Sequence, residues 1–203
     1  MTPPASLPSE TIERGLILAG LDALREIGDE ALVEVILGQE GMQGFGAPAH
    51  GMDDDRVPLS EYLRYRDIAL DLLDDGFAVT AFQAGQFLVR NFAGEKQSQI
   101  NALVRQFEFA ASKLPLIGQA AVLAARGNPG VVRARMRGPA LIITIANCPE
   151  CRGLTREAPF CFLNQGLTTA FADLYLHVAV RTTETKCIAM GDPVCEITVT
   201  LET

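Results

Sequence analysis

Apolar and polar positions change their rhythm about two thirds of the way along the chain. From Glu10 to Arg126 the apolar residues recur at helical spacing, and after Gly130 they alternate or cluster as they do in strands. Residues 1–9 read as a flexible leader. Ile12, Leu16, Ala19, Ala23 and Ile27 predict a first helix beginning at Glu10, and a second short helix is predicted over Glu30–Leu37. The Gly-, Pro- and Asp-rich stretch from Gly38 to Pro58 reads as a loop. Ser60 with Leu63 to Leu73 predicts another helix, stopped by Asp74-Asp75-Gly76. Helical patterning continues over 78–93 and 97–113, with Phe82, Phe87, Phe92, Phe107 and Phe109 supplying bulk. Pro115 is expected to open a further helix reaching about Arg126.

Beyond Gly127-Asn128-Pro129-Gly130, Val131–Arg137 and Pro139–Ala146 read as strands, 158–177 as a helix, and Val178 to about Lys186 and Cys195–Leu201 as a closing strand pair. In the last strand Cys195, Ile197, Val199 and Leu201 share one face, and Glu196, Thr198, Thr200 and Glu202 the other. Helices followed by β-β-α-β-β predict an α+β fold in which an antiparallel sheet is packed by helices. The expected division is a leader (1–9), a helical N-terminal region (10–129) and an α+β portion (130–203), the last two forming one compact domain. No βαβ series is visible, which argues against a doubly wound nucleotide-binding sheet.

Composition narrows the function classes. The 203 residues are 48% hydrophobic, enough for a substantial core, and carry a net charge of −8, which argues against nucleic acid as a partner. The N-terminus lacks the basic and apolar regions of a signal peptide, and Ala140–Ala146 is too short to span a bilayer. A soluble, cytoplasmic protein without a transmembrane segment is expected.

The candidate chemistry lies in five cysteines confined to the C-terminal third. Cys187 and Cys195 flank a Gly191-Asp192-Pro193 turn that can bring both sulfurs to one end of a hairpin. Cys161 falls in the first turns of the last helix, which must pack on the face that holds Cys195. With Glu184, three thiols and a carboxylate make a plausible zinc set. Glu184 is its weakest member, because residues three apart on an ideal strand face opposite sides. It needs a bulge or a strand end near Cys187 to join the others. Simple packing of buried thiols is the competing reading.

Asn147-Cys148-Pro149-Glu150-Cys151 is a C-x-x-C at a strand end. It can be a redox pair, half of an alternative metal site or loop structure, and the absence of a helix starting at its first Cys favours the loop. His177 is expected to end the last helix as a dipole partner, while His50 stands alone in the glycine-rich loop. Gly38, Gly41, Gly44 and Gly46 follow a helix and lack a Gly-Lys-Ser/Thr, so they do not read as a phosphate loop. Arg133, Arg135 and Arg137 form a cationic stripe on one strand face, either solvated or able to clamp a ligand carboxylate.

Pro159-Phe160-Cys161-Phe162, Glu184-x-x-Cys187 and Met190-Gly191-Asp192-Pro193-x-Cys195 together resemble the 4-vinyl reductase domain family over about residues 130–203. That domain occurs in phenol-sensing transcription activators, in small archaeal proteins and in bacteriochlorophyll biosynthesis. Stand-alone length, the helical N-terminal region and Asn147-Cys-Pro-Glu-Cys151-Arg-Gly resemble the bacteriochlorophyll branch most. The resemblance implies a structural zinc on Cys161, Glu184, Cys187 and Cys195. It also implies a fold like the ligand-binding domains of nitric-oxide signalling and vesicle-tethering proteins, often as a homodimer. It further implies a tetrapyrrole such as divinyl protochlorophyllide as ligand, with pathway enzymes as partners. Arg133, Arg135, Phe82 and Phe107 are the candidate substrate contacts. Whether the chain reduces a vinyl group or only binds its pigment stays open. No nicotinamide- or cluster-binding motif is present, and a closed zinc site cannot supply two electrons.

Overall fold

In a computed structural model the chain is described over residues 10–27, 29–46, 56–104, 110–125 and 128–202. The leader, His50, Phe107 and Phe109 lie outside these ranges. Two short strands, β1 (Thr11–Glu13) and β2 (Arg56–Pro58), pair with each other among the first helices. Those helices are α1 (Gly15–Glu26), α2 (Glu30–Leu37), α3 (Leu59–Leu73), α4 (Phe77–Val104) and α5 (Ala110–Ala124). Strands β3 (Val131–Arg137) and β4 (Ala140–Ala146), helix α6 (Phe162–Phe171), and strands β5 (Val180–Lys186) and β6 (Cys195–Leu201) follow. These last four strands form one antiparallel sheet in the order β3-β4-β6-β5. The architecture is α+β, as the change of rhythm predicted. No described helix is long and apolar enough to cross a membrane.

Several local expectations give way to tertiary partners. The first helix starts at Gly15 rather than Glu10, because Thr11–Glu13 pairs with β2, which lies inside the expected loop. Residues Gln43–Phe45 of that loop form a 3-10 turn. The helical stretch from residue 77 runs without a break to Val104. Pro115 lies inside α5 rather than at its start, and the turn ahead of it is anchored where Lys113 Nζ donates to the Leu176 carbonyl at 2.8 Å. Helix α6 begins only at Phe162, with Cys161 at its N-cap, and ends in a π-helical turn, Ala172–Leu176. His177 follows at φ 51°, exposed at that terminus.

Two main cores result. In the helical half, Ile17, Leu21 and Leu24 of α1 meet Val33, Ile36, Tyr62 and Tyr65. In the sheet half, Leu141, Ile143, Ile145, Ile197 and Val199 pack against Leu114, Ile117, Tyr175 and all five cysteines. Between them α4 and α6 cross at backbone contact. A Cβ on Gly166 would sit 2.0 Å from the Phe82 carbonyl oxygen, and one on Gly85 2.2 Å from that of Leu163. Only glycine permits so close a crossing.

Candidate metal centre

The last hairpin is shaped around its thiols. β5 and β6 pair regularly from Val180 to Glu184, then slip by one residue so that Lys186 faces Glu196. This bulge at Thr185 reverses the side-chain parity, and Glu184 and Cys187 both turn into the core. It also covers Glu196, which is buried on the opposite face under Thr185 Oγ1 at 3.0 Å and Lys186 Nζ at 3.5 Å.

After Cys187 a 3-10 turn, Ile188–Met190, leads into Gly191 at φ 94°, where only glycine is free of strain. Asp192 Oδ2 accepts the Cys187 N–H at 2.9 Å, and Cys195 Sγ accepts the Ile188 N–H at 3.4 Å. Donation of backbone N–H to sulfur favours a thiolate.

Glu184 reaches across to the N-terminus of α6, where its Oε2 accepts the Cys161 N–H at 2.8 Å. Its Oε1 is buried and has no hydrogen-bond partner among the described residues. The structure therefore brings Cys161, Glu184, Cys187 and Cys195 together. It adds a residue that the sequence placed in a loop. Cys151 Sγ lies 3.4 Å from Cys161 Sγ and 3.5 Å from the sulfurs of both Cys187 and Cys195. These five donor atoms all fall within 4.8 Å of one another. Cys148 Sγ stands at the edge of the group, 3.5 Å from Cys161 Sγ. All five cysteines are free thiols and all are buried.

The electrostatics fit a cation. Burial pushes the Glu184 carboxyl up to about 8. The neighbouring Cys161 thiol pulls Cys187 down to about 6, and hydrogen bonds from Cys148, Cys151 and Cys161 lower Cys195 as well. A divalent metal would compensate such a set of soft sulfurs and one oxygen, each buried and short of partners.

The loop that carries Cys151 is held from the helical half. Arg66 of α3 is 4% exposed, and its Nη1 donates to the carbonyls of Pro149 (3.2 Å), Glu150 (3.0 Å) and Arg152 (2.8 Å). Arg152 in turn pairs with Glu10. Between Arg66, Tyr62, Thr80, Phe77, Phe160 and Glu150 lies a cavity of about 20 Å³, room for a water molecule. Phe77 and Phe160 stack across it with ring centroids 5.3 Å apart. Glu150 is 5% exposed; its Oε1 accepts from the Asn164 N–H (3.2 Å) and Nδ2 (3.1 Å), and its Oε2 has no partner among the described residues. Burial pushes this carboxyl well above its usual range.

The candidate substrate contacts are not gathered at this cavity. Arg133 and Arg135 are exposed on β3, on the face opposite Ala134, whose Cβ meets α5 at Gly118. The backbone of Phe82 is at the α4–α6 crossing. Sequence reasoning missed Arg66, Glu150 and Cys151. The one available signal was the C-x-x-C itself.

Comparison with known proteins agrees with this division of the chain. Residues 141–201 match the 4-vinyl reductase domain. An uncharacterized protein of Methanocaldococcus jannaschii is 34% identical over 68 residues, 34% of this chain and 37% of that protein. The chain thus spans little more than a third of that relative's length. Among solved structures, an H-NOX protein from K. algicida, Fe(II) unliganded, is similar with a TM-score of 0.65 at 11% identity, covering 95% of this chain and 97% of the other. An H-NOX protein from S. oneidensis in the Fe(II)NO ligation state has a TM-score of 0.61 at 14% identity, covering 93% and 99%. These similarities concern the fold. The domain match does not separate the bacteriochlorophyll branch from the others. The segment that holds all five cysteines thus matches the 4-vinyl reductase domain family, within a chain whose fold resembles that of H-NOX proteins.

Proposed function

We propose that the chain is a metal-clasped ligand-binding protein whose ligand enters the seam between the helical half and the sheet. The observation that carries this reading is the loop Cys148–Arg152. On one side it places Cys151 among the buried donors, and on the other it forms the Glu150 wall of the cavity. Zinc is the metal that suits the donors. It supplies charge neutralisation and cross-linking of α6 with the β5–β6 hairpin, and with four protein ligands it has no open position for chemistry.

A tetrapyrrole precursor such as divinyl protochlorophyllide is the ligand we favour, delivered for reduction of its vinyl group by a pathway enzyme. Two points support it. The 4-vinyl reductase motif residues are all present, and the H-NOX proteins of like fold are described in terms of Fe(II) ligation and heme distortion. Binding requires Phe77 and Phe160 to part, since the cavity holds only water.

That small volume favours a second reading, a sensor for a smaller aromatic molecule. Titrating the purified protein with divinyl protochlorophyllide and, separately, with phenol distinguishes them. A red-shifted, saturable pigment spectrum supports the first, and saturable phenol binding alone supports the second. Absence of both responses would sink ligand binding at the seam. Turnover of the pigment's vinyl group with added reductant would instead make the chain a reductase.

A further inference from the structure

Five donors crowd a centre that needs four. We infer that Cys151 supplies the fourth ligand in this chain in place of Glu184, so that the metal is held by the four thiolates of Cys151, Cys161, Cys187 and Cys195. The inference rests on the metal reading proposed above and replaces one member of the ligand set implied by family resemblance.

Geometry is the first argument. Sulfurs bound to one zinc at about 2.3 Å stand about 3.8 Å apart at the corners of a tetrahedron. Cys151 Sγ is 3.4–3.5 Å from each of the other three sulfurs, nearly equidistant, as a fourth corner must be. The loop is built to keep it there. The Cys151 N–H turns back to the Cys148 carbonyl at 3.3 Å, the Leu154 N–H reaches the Cys151 carbonyl at 3.2 Å, and Arg66 grips the flanking carbonyls.

The second argument is the chemistry of the rival. Glu184 already spends Oε2 on the Cys161 N–H, fixing the N-cap residue of α6. Its Oε1 is the competing donor. Where a thiolate and a carboxylate both reach zinc, the softer thiolate forms the structural site. Ligation by Glu184 would also leave Cys151 as a bystander sulfur pressed on three thiolates. Cys148 touches Cys161 but lies outside the group within 4.8 Å, and it stays a free thiol.

One consequence is mechanical. With Cys151 bound, the metal joins the hairpin, the start of α6 and the Arg66-gripped loop, and so reaches the cavity wall at Glu150. Zinc X-ray absorption of the full-length protein tests the assignment. The wild type is expected to show four sulfur scatterers, Glu184→Gln four, and Cys151→Ser three with one lighter atom. Three sulfurs and one oxygen in the wild type, unchanged in Cys151→Ser, would overturn it while leaving the metal site intact. If Cys151→Ser does not fold, the wild-type and Glu184→Gln spectra decide alone. Folded protein without metal would overturn both the assignment and the metal reading beneath it.

Discussion

The helical half and the sheet half bury comparable apolar residues, but they are held in different ways. In the helical half Ile17, Leu21, Leu24, Val33 and Ile36 meet as plain hydrocarbon, and removing one leaves a cavity and little else. The sheet half surrounds a cluster of five thiols and a carboxylate with its hydrocarbon, at the place where α6, the hairpin and a loop converge. Such a cluster costs folding energy unless a cation compensates it. Cohesion is therefore spread over the first core and concentrated at one point of the second. Arg66 is the strap between them.

Breaking the point should have the largest effect. Stripping the metal with a chelator, or Cys195→Ser, is expected to remove on the order of 10 kcal/mol of apparent folding free energy from the sheet half. Hydrogen exchange should report lost protection in β5, β6 and α6 with α1 to α3 largely retained. A uniform loss, or none, would contradict the contrast. Leu24→Ala in the helical core should cost about 2–5 kcal/mol in denaturant titration and leave metal content unchanged.

Arg66→Met should cost about 1–3 kcal/mol, because three loop carbonyls lose their donor. Its signature is faster exchange in residues 148–152 with the α1 core unchanged. The smallest effect belongs to Glu13. Burial raises its carboxyl despite the nearby Arg56, so ionisation disfavours the folded state. Stability of the parent should fall as pH rises from about 4.3, the unfolded carboxyl value, toward the folded one. Glu13→Gln should melt with the parent near the acid end of that window and above it at neutral pH. A constant gap between the two would remove the titration from the account.

Much of this contrast was legible in the residues. Strand β6 shows alternation over its whole length from Cys195, and α2 and β3 run as their patterns predict, because burial follows local periodicity there. Glu184 could join the thiols only through a bulge, and the slip at Thr185 supplies one. What escaped notice depends on distant partners. Thr11–Glu13 is a strand only because Arg56–Pro58 lies beside it, 45 residues on. Cys151 follows a turn with no periodicity, and its inward direction is set by Arg66 of another element. A buried arginine on an otherwise amphipathic helix carries no local mark of its target.

The central claim is that the buried donors hold a metal, and elemental analysis of the natively purified, folded protein tests it most directly. About one zinc per chain, with the bound thiols shielded from a thiol reagent until the protein is denatured, is the predicted result. A fully folded chain without transition metal, whose thiols react as freely before chelation as after it, would contradict it.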